Sequence, residues 1–181
     1  MSKLLISHGS QVCAKTAHGS TVLDRAAMGR GDARMATLLI EAGAKVATTD
    51  VNGVSALHLA AYYATPEVLE VLINAGYDVN LKTLEGTAPL YEASHSGNVD
   101  SMEFLLAKGA DLNAKLSNGC TILHAAADSR RAAADAVRLL VNMGANTEAR
   151  DSYGRSPLDM AISAENDDVV ELLSGNILLS V

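Results

Sequence analysis

Ten glycines constrain this chain more than any other feature. Gly9, Gly43, Gly76, Gly109 and Gly144 each follow an apolar run, and Gly19, Gly53, Gly86, Gly119 and Gly154 each precede a short Leu/Ala segment. Every glycine of the second set stands 10 residues after its partner in the first, and successive members of the first set are 34, 33, 33 and 35 residues apart. A period of this length means a stacked array of small units, each burying its apolar face against its neighbours. The first glycine of a pair suits the left-handed residue that ends a helix, and the second suits a tight turn. Both are conformations in which a Cβ is unfavourable. The connection between the glycines keeps its length, so the variation falls in the helical part, with extra residues expected near 29–31 and 129–133.

Residues 53–80 show the unit most cleanly: turn, short helix, longer helix, turn. The segments after the turn glycines are Thr21-Val22-Leu23-Asp24, Ser55-Ala56-Leu57-His58, Ala88-Pro89-Leu90-Tyr91, Thr121-Ile122-Leu123-His124 and Ser156-Pro157-Leu158-Asp159. Ser and Thr are good N-caps, and Pro fits the first helical position. The Leu is expected in the core. The small residues that follow (Ala26-Ala27, Ala60-Ala61, Ala93-Ser94, and Ala125 through Ala127) let helices approach closely. The second helix of each unit carries a broad apolar face, as in Val68, Leu69, Leu72 and Ile73. Composition agrees: 49% of residues are hydrophobic but only 3% aromatic, so the core must be built from Ala, Leu, Val and Ile. Phe104, the only Phe, is expected in that core.

Period and motif together resemble the ankyrin-repeat family. The segment 50–82 carries Asp-x-x-Gly, Ser-Ala-Leu-His, Ala-Ala and Ala-Gly-Tyr-Asp-Val-Asn, and 83–115 ends Lys-Gly-Ala-Asp-Leu-Asn-Ala. The resemblance covers nearly the whole chain and implies an all-α solenoid of helix-turn-helix units with β-turn or hairpin fingers. The expected divisions are a partial repeat at 1–15 (outer helix only), repeats at 16–49, 50–82, 83–115 and 116–150, and a partial repeat with an apolar tail at 151–181. Ends that carry no polar cap suggest a section of a longer array, or end-to-end self-association. Departures from the family pattern are local. Ala88 lacks a capping hydroxyl, which is expected to weaken that helix start by roughly 1 kcal/mol, and Asp24, Tyr91 and Asp159 stand where His is usual, departures that bear on local stability and not on the fold.

The resemblance implies a non-enzymatic protein–protein interaction module, a scaffold or regulator, with another protein as partner. The alternative is an accessory segment of a larger enzyme or channel whose active domain lies elsewhere. Binding in the family uses the turn tips and the inner-helix face. Carried over position by position, the tips include Val51 and Leu84, and the preferred candidates are Asn52, Val54, Glu85, Asn118 and Tyr153 on the tips, and Tyr62, Tyr63, His95 and Asp128 at the inner-helix ends. The adjacent tyrosines are the preferred anchor, because Tyr buries apolar area while keeping a polar end. Asn80 and Asn113 resemble asparagines that oxygen-sensing hydroxylases modify in this family; hydrogen bonding within the turn is a sufficient role without it.

Other chemistry finds little support. There is no phosphate-binding glycine loop, no His-Glu-x-x-His, no Gly-x-Ser-x-Gly and no Cys-x-x-Cys. No catalytic, metal or cofactor site is expected. His58 and His124 occupy the family's structural position, on the order of 20 Å apart if helices stack about 10 Å each. A net charge of −7 without a basic cluster argues against nucleic acid or an anionic membrane. Cys13 and Cys120 are too few for a disulfide framework. Arg30-Gly31-Asp32 and Arg130-Arg131 are expected to be solvated turns. With no signal peptide, no long apolar span and no Asn-x-Ser/Thr acceptor, the expected location is intracellular, cytoplasmic or nuclear.

Overall fold

The computed structural model describes residues 12–29, 33–129 and 133–175. Among them are ten α-helices: α1 (Val22–Ala27), α2 (Ala33–Glu41), α3 (Ala56–Tyr63), α4 (Pro66–Asn74), α5 (Pro89–Ser96), α6 (Val99–Ala107), α7 (Ile122–Asp128), α8 (Ala133–Asn142), α9 (Pro157–Ser163) and α10 (Asp167–Leu173). The odd-numbered helices pack on one another in chain order and the even-numbered ones do the same, with each odd helix also packed on the even helix that follows it. This all-α repeat architecture matches the expected fold class. The expected outer helix over residues 3–6, the Arg30-Gly31-Asp32 and Arg130-Arg131 turns, and the apolar tail from Ile177 lie outside the described residues.

The helix starts follow their sequences. Thr21, Thr121 and Ser156 each accept a hydrogen bond from the main-chain N–H three residues on. Pro occupies the first turn of α4, α5 and α9. At two of the departures from His, Asp24 and Asp159, the cap is retained. Asp24 Oδ2 accepts from Thr21 N at 2.6 Å and from Thr21 Oγ1 at 2.9 Å. Asp159 Oδ2 accepts from Ser156 N and Ser156 Oγ, both at 2.8 Å. A carboxylate at the third helical position closes a capping box as well as an imidazole does, because all that is needed there is an acceptor. Ala88, opposite Tyr91, makes no side-chain cap, and neither do Thr65 before α4 and Asn166 before α10.

The core is two columns of leucine. Leu23, Leu57, Leu90 and Leu123 on the odd helices are at most 1% exposed, and Leu39, Leu72, Leu105, Leu140 and Leu172 on the even helices at most 4%. Burying each side chain contributes about 1.5–3 kcal/mol. Alanines at 0% exposure (Ala27, Ala60, Ala61, Ala93, Ala126 and Ala161) let the odd helices approach closely. Phe104 is half-buried against this core, with Lys108 Nζ 5.2 Å from its ring centre.

Between the helix pairs the chain turns back in short fingers. Isolated antiparallel bridges close three of them, Lys15–Thr21, Thr49–Ser55 and Lys115–Thr121. Main-chain bonds then link finger to finger: Val51 N to His18 O at 3.1 Å, Leu84 N to Asn52 O at 2.9 Å, Ser117 N to Glu85 O at 3.5 Å and Ser152 N to Asn118 O at 2.8 Å. This ladder separates two kinds of glycine that look alike in sequence. Gly76, with φ +105°, ends a helix in open space. Gly53, with φ +81°, faces the next finger, where a Cβ would meet Leu84 N at 3.0 Å. Gly19, Gly53 and Gly119 therefore serve close approach between repeats as well as the turn.

Candidate functional site

The C-terminal ends of the odd helices carry the preferred anchor. Tyr63 is 48% exposed, while Tyr62 is half-buried. Their ring centres lie 4.5 Å apart, tilted by 55°. Tyr62 also lies 6.2 Å from the ring of His95, at the equivalent place on α5. Side chains from two consecutive repeats thus form one aromatic strip with an exposed edge. Stacking and edge contacts of this kind favour offset or tilted rings, which fixes the tyrosines relative to each other. His95 and Asp128 are exposed on the neighbouring helix ends.

On the fingers, Asn52, Glu85 and Tyr153 are exposed, and Val54 and Asn118 are half-buried. Asn118 Oδ1 is occupied by Cys120 N at 3.1 Å, so this side chain shapes its own turn. Tyr153 is 76% exposed and stacks under the Arg155 guanidinium, 5.1 Å from the ring centre. Arg155 in turn forms an ion pair with Asp151 at 2.8 Å. Burial opposes ionisation of Asp151, but the hydrogen bonds from Arg155 and Tyr153 outweigh it and hold its carboxyl below the usual range.

The preferred set omits two apolar tips. Leu84 is 78% exposed and Val51 60%, at the same position of adjacent fingers. Their register within the repeat was the signal available to find them. It also omits the setting of Tyr91. Burial, then the neighbouring Cys120, Glu92, Asp128 and Glu85, push the Tyr91 phenol up to about 12. Burial likewise raises the Glu92 carboxyl. Glu85, Glu92 and Asp128 thus surround Tyr91 with carboxyl groups.

The buried histidines are structural. Ser55 N donates to His58 Nδ1 at 3.2 Å, so that nitrogen is unprotonated and Nε2–H donates to Thr87 O at 3.1 Å. His124 repeats the arrangement, with Thr121 N at 3.2 Å from Nδ1 and Arg155 O at 2.9 Å from Nε2. The Ser55 hydroxyl lies 2.9 Å from His58 Nδ1, a distance that nucleophile–base pairs also show. Here both residues are at most 1% exposed and Nε2 is already engaged, so no substrate reaches the pair. Burial lowers the His58 pKa. Cys120 is buried, its Sγ 3.8 Å from Asp151 Oδ2, and burial with that carboxylate raises its pKa; Cys13 is exposed. Both are free thiols. Among the described residues no three His, Cys, Asp or Glu side chains are placed to hold a metal ion, and no helix is long and apolar enough to cross a membrane.

Asn80 and Asn113 differ. The Asn80 amide spans to the next repeat, donating to Gly109 O at 3.1 Å and accepting from Asp111 N at 2.8 Å. The Asn113 main-chain N–H donates to Asp111 Oδ1 at 2.9 Å, but its exposed side-chain amide makes no hydrogen bond among the described residues.

A family model for ankyrin repeats (3 copies) matches residues 23–116 and 112–178. No curated protein matches the chain.

Proposed function

This chain belongs to the ankyrin-repeat family, whose repeats are generally protein–protein interaction modules, and on that premise we propose that it is a non-enzymatic scaffold or regulator. It binds another protein through its finger tips and the exposed ends of its inner helices. One observation carries this reading. Of the seven large apolar side chains exposed among the described residues, Val51, Leu84 and Tyr153 are on fingers and Tyr63 is on an inner-helix end. Exposed apolar and aromatic side chains on a rigid frame are what a protein interface requires. The finger-to-finger ladder supplies the frame. The acidic surroundings of Tyr91 and the net charge of −7 favour a protein over nucleic acid or an anionic membrane. Free thiols and the absence of any glycosylation acceptor fit an intracellular setting.

Affinity capture with the full chain tests the reading. Tyr62→Ala combined with Tyr63→Ala abolishes partner capture and leaves the helical circular dichroism unchanged; retained capture moves the site elsewhere. Of the two asparagines, Asn80 has its side chain tied to the next repeat, so Asn113 is the better candidate for enzymatic hydroxylation. An intact mass of the native protein with no added oxygen would exclude that modification.

A further inference from the structure

Three successive junctions between repeats are built on the same loop, and one is filled, one bridged and one left open. The loop after α4 begins with Tyr77 N donating to Leu72 O at 3.2 Å, the loop after α6 with Ala110 N to Leu105 O at 2.9 Å, and the loop after α8 with Ala145 N to Leu140 O at 2.9 Å. Each then continues with an equivalent turn, Leu81 N to Asp78 O, Ala114 N to Asp111 O and Ala149 N to Asn146 O. Tyr77, Ala110 and Ala145 therefore occupy one position of the repeat, and so do Asn80 and Asn113.

At the first junction Tyr77 fills the space between its loop and the preceding one. It is 3% exposed, and its hydroxyl is buried beside Thr48 and the Ala47 main chain without meeting strict hydrogen-bond geometry with either. At the second junction the residue is Ala110, and the Asn80 amide bridges the loops through Gly109 and Asp111. At the third neither device operates. The residue is Ala145, and the Asn113 amide makes no bond among the described residues. A cleft of about 250 Å³ remains, with Leu112 and Leu123 among its apolar walls and Asn113, Lys115 and Asn146 at its exposed rim.

We propose that this cleft is a binding socket for a tyrosyl side chain carried by a bound polypeptide. The chain's own Tyr77 shows which group this loop geometry encloses. The volume is sufficient, since a cavity of about 150 Å³ takes up benzene. Apolar walls receive the ring, and the polar rim offers partners for the hydroxyl, the division of labour that ligand pockets show. The polypeptide source rests on the protein-binding reading above; the socket itself does not, because it is tested without any partner.

The test is an amide-shift titration of the full ¹⁵N-labelled chain with N-acetyl-tyrosinamide and, separately, N-acetyl-leucinamide. The tyrosine compound should produce saturable shifts in 112–115 and 145–149, and the leucine compound should not. Ala145→Tyr, which refills the cleft as Tyr77 fills its own, should weaken this binding at least about tenfold, a change of roughly 1.4 kcal/mol. Absence of saturable shifts there, an equal response to the leucine compound, or unchanged binding in Ala145→Tyr overturns the proposal. If Ala145→Tyr does not fold, Tyr77→Ala replaces it. That variant opens the equivalent socket at the first junction, so N-acetyl-tyrosinamide should raise its thermal midpoint more than that of the parent chain, and an equal rise overturns the proposal. Loss of partner capture in the Tyr62/Tyr63 variant bears on the exposed surface alone, so either reading can fail without the other.

Discussion

His58 Nε2 donates to the Thr87 carbonyl oxygen at 3.1 Å, so the capping group of one inner helix also holds the finger of the next repeat. Asp24 and Asp159 reproduce the capping half of this arrangement with a carboxylate. An imidazole has two nitrogens on opposite sides of a ring, which allows one side chain to serve both partners.

This double use makes stability depend on pH in a defined direction. Burial depresses the folded pKa of His58 below its ordinary value of about 6.5. The unfolded chain then binds more protons between those two values, so stability rises with pH across that window. It is fully present above about 6.5 and is lost as pH falls toward the folded value. Protonating Nδ1 removes the acceptor for Ser55 N. Denaturant unfolding between pH 5 and 7 should show this slope in the parent chain and a flatter profile in His58→Gln. At pH 7, His58→Ala should cost about 2–3 kcal/mol, from two lost bonds and a buried unpaired N–H. An equal slope in both proteins would assign the effect to another group.

The two glycine sets should respond differently to the same substitution. Gly76→Ala places a Cβ in the left-handed region with nothing nearby, a cost of about 1–2 kcal/mol. Gly53→Ala carries that cost and also forces the Leu84 main chain away from 3.0 Å, weakening the Leu84 N to Asn52 O link. Its thermal midpoint should fall further than that of Gly76→Ala. Equal losses would mean that the fingers move apart freely.

Asn80 and Asn113 form a matched pair for a third measurement. Asn80→Ala breaks two bonds between repeats and should lower stability by about 1 kcal/mol. Asn113→Ala breaks no side-chain bond and should leave unfolding unchanged within about 0.5 kcal/mol. The comparison controls for the turn conformation, since both main-chain N–H groups donate to an Asp two residues earlier, Asn80 to Asp78 and Asn113 to Asp111.

Much of the fold was legible in the order of residues. The glycine pairs set the period, Ser, Thr or Pro marked the helix starts, and the Leu and Ala positions identified the buried faces. These signals act within a few residues, through backbone sterics, caps and helical periodicity, so they need no knowledge of the neighbours. The exposed anchors were partly legible for the same reason: Tyr63 and Tyr153 sit at register positions that face outward. Leu84 and Val51 share such a register, but apolar character alone does not separate an exposed tip from a core residue.

What the sequence determined by itself was the unit and its repetition. The tertiary structure decided what each departure from the unit means. Asp24 reads as a lost histidine until Thr21 is seen donating to it. Gly53 reads as another turn glycine until the next finger lies against it. Tyr77, Asn80 and Ala145 read as unrelated residues until stacked loops place them at equivalent junctions, one filled, one bridged and one open. The partners of these residues lie about one repeat away in sequence, and only stacking brings them together. Their packing therefore depends on shapes that no local propensity encodes.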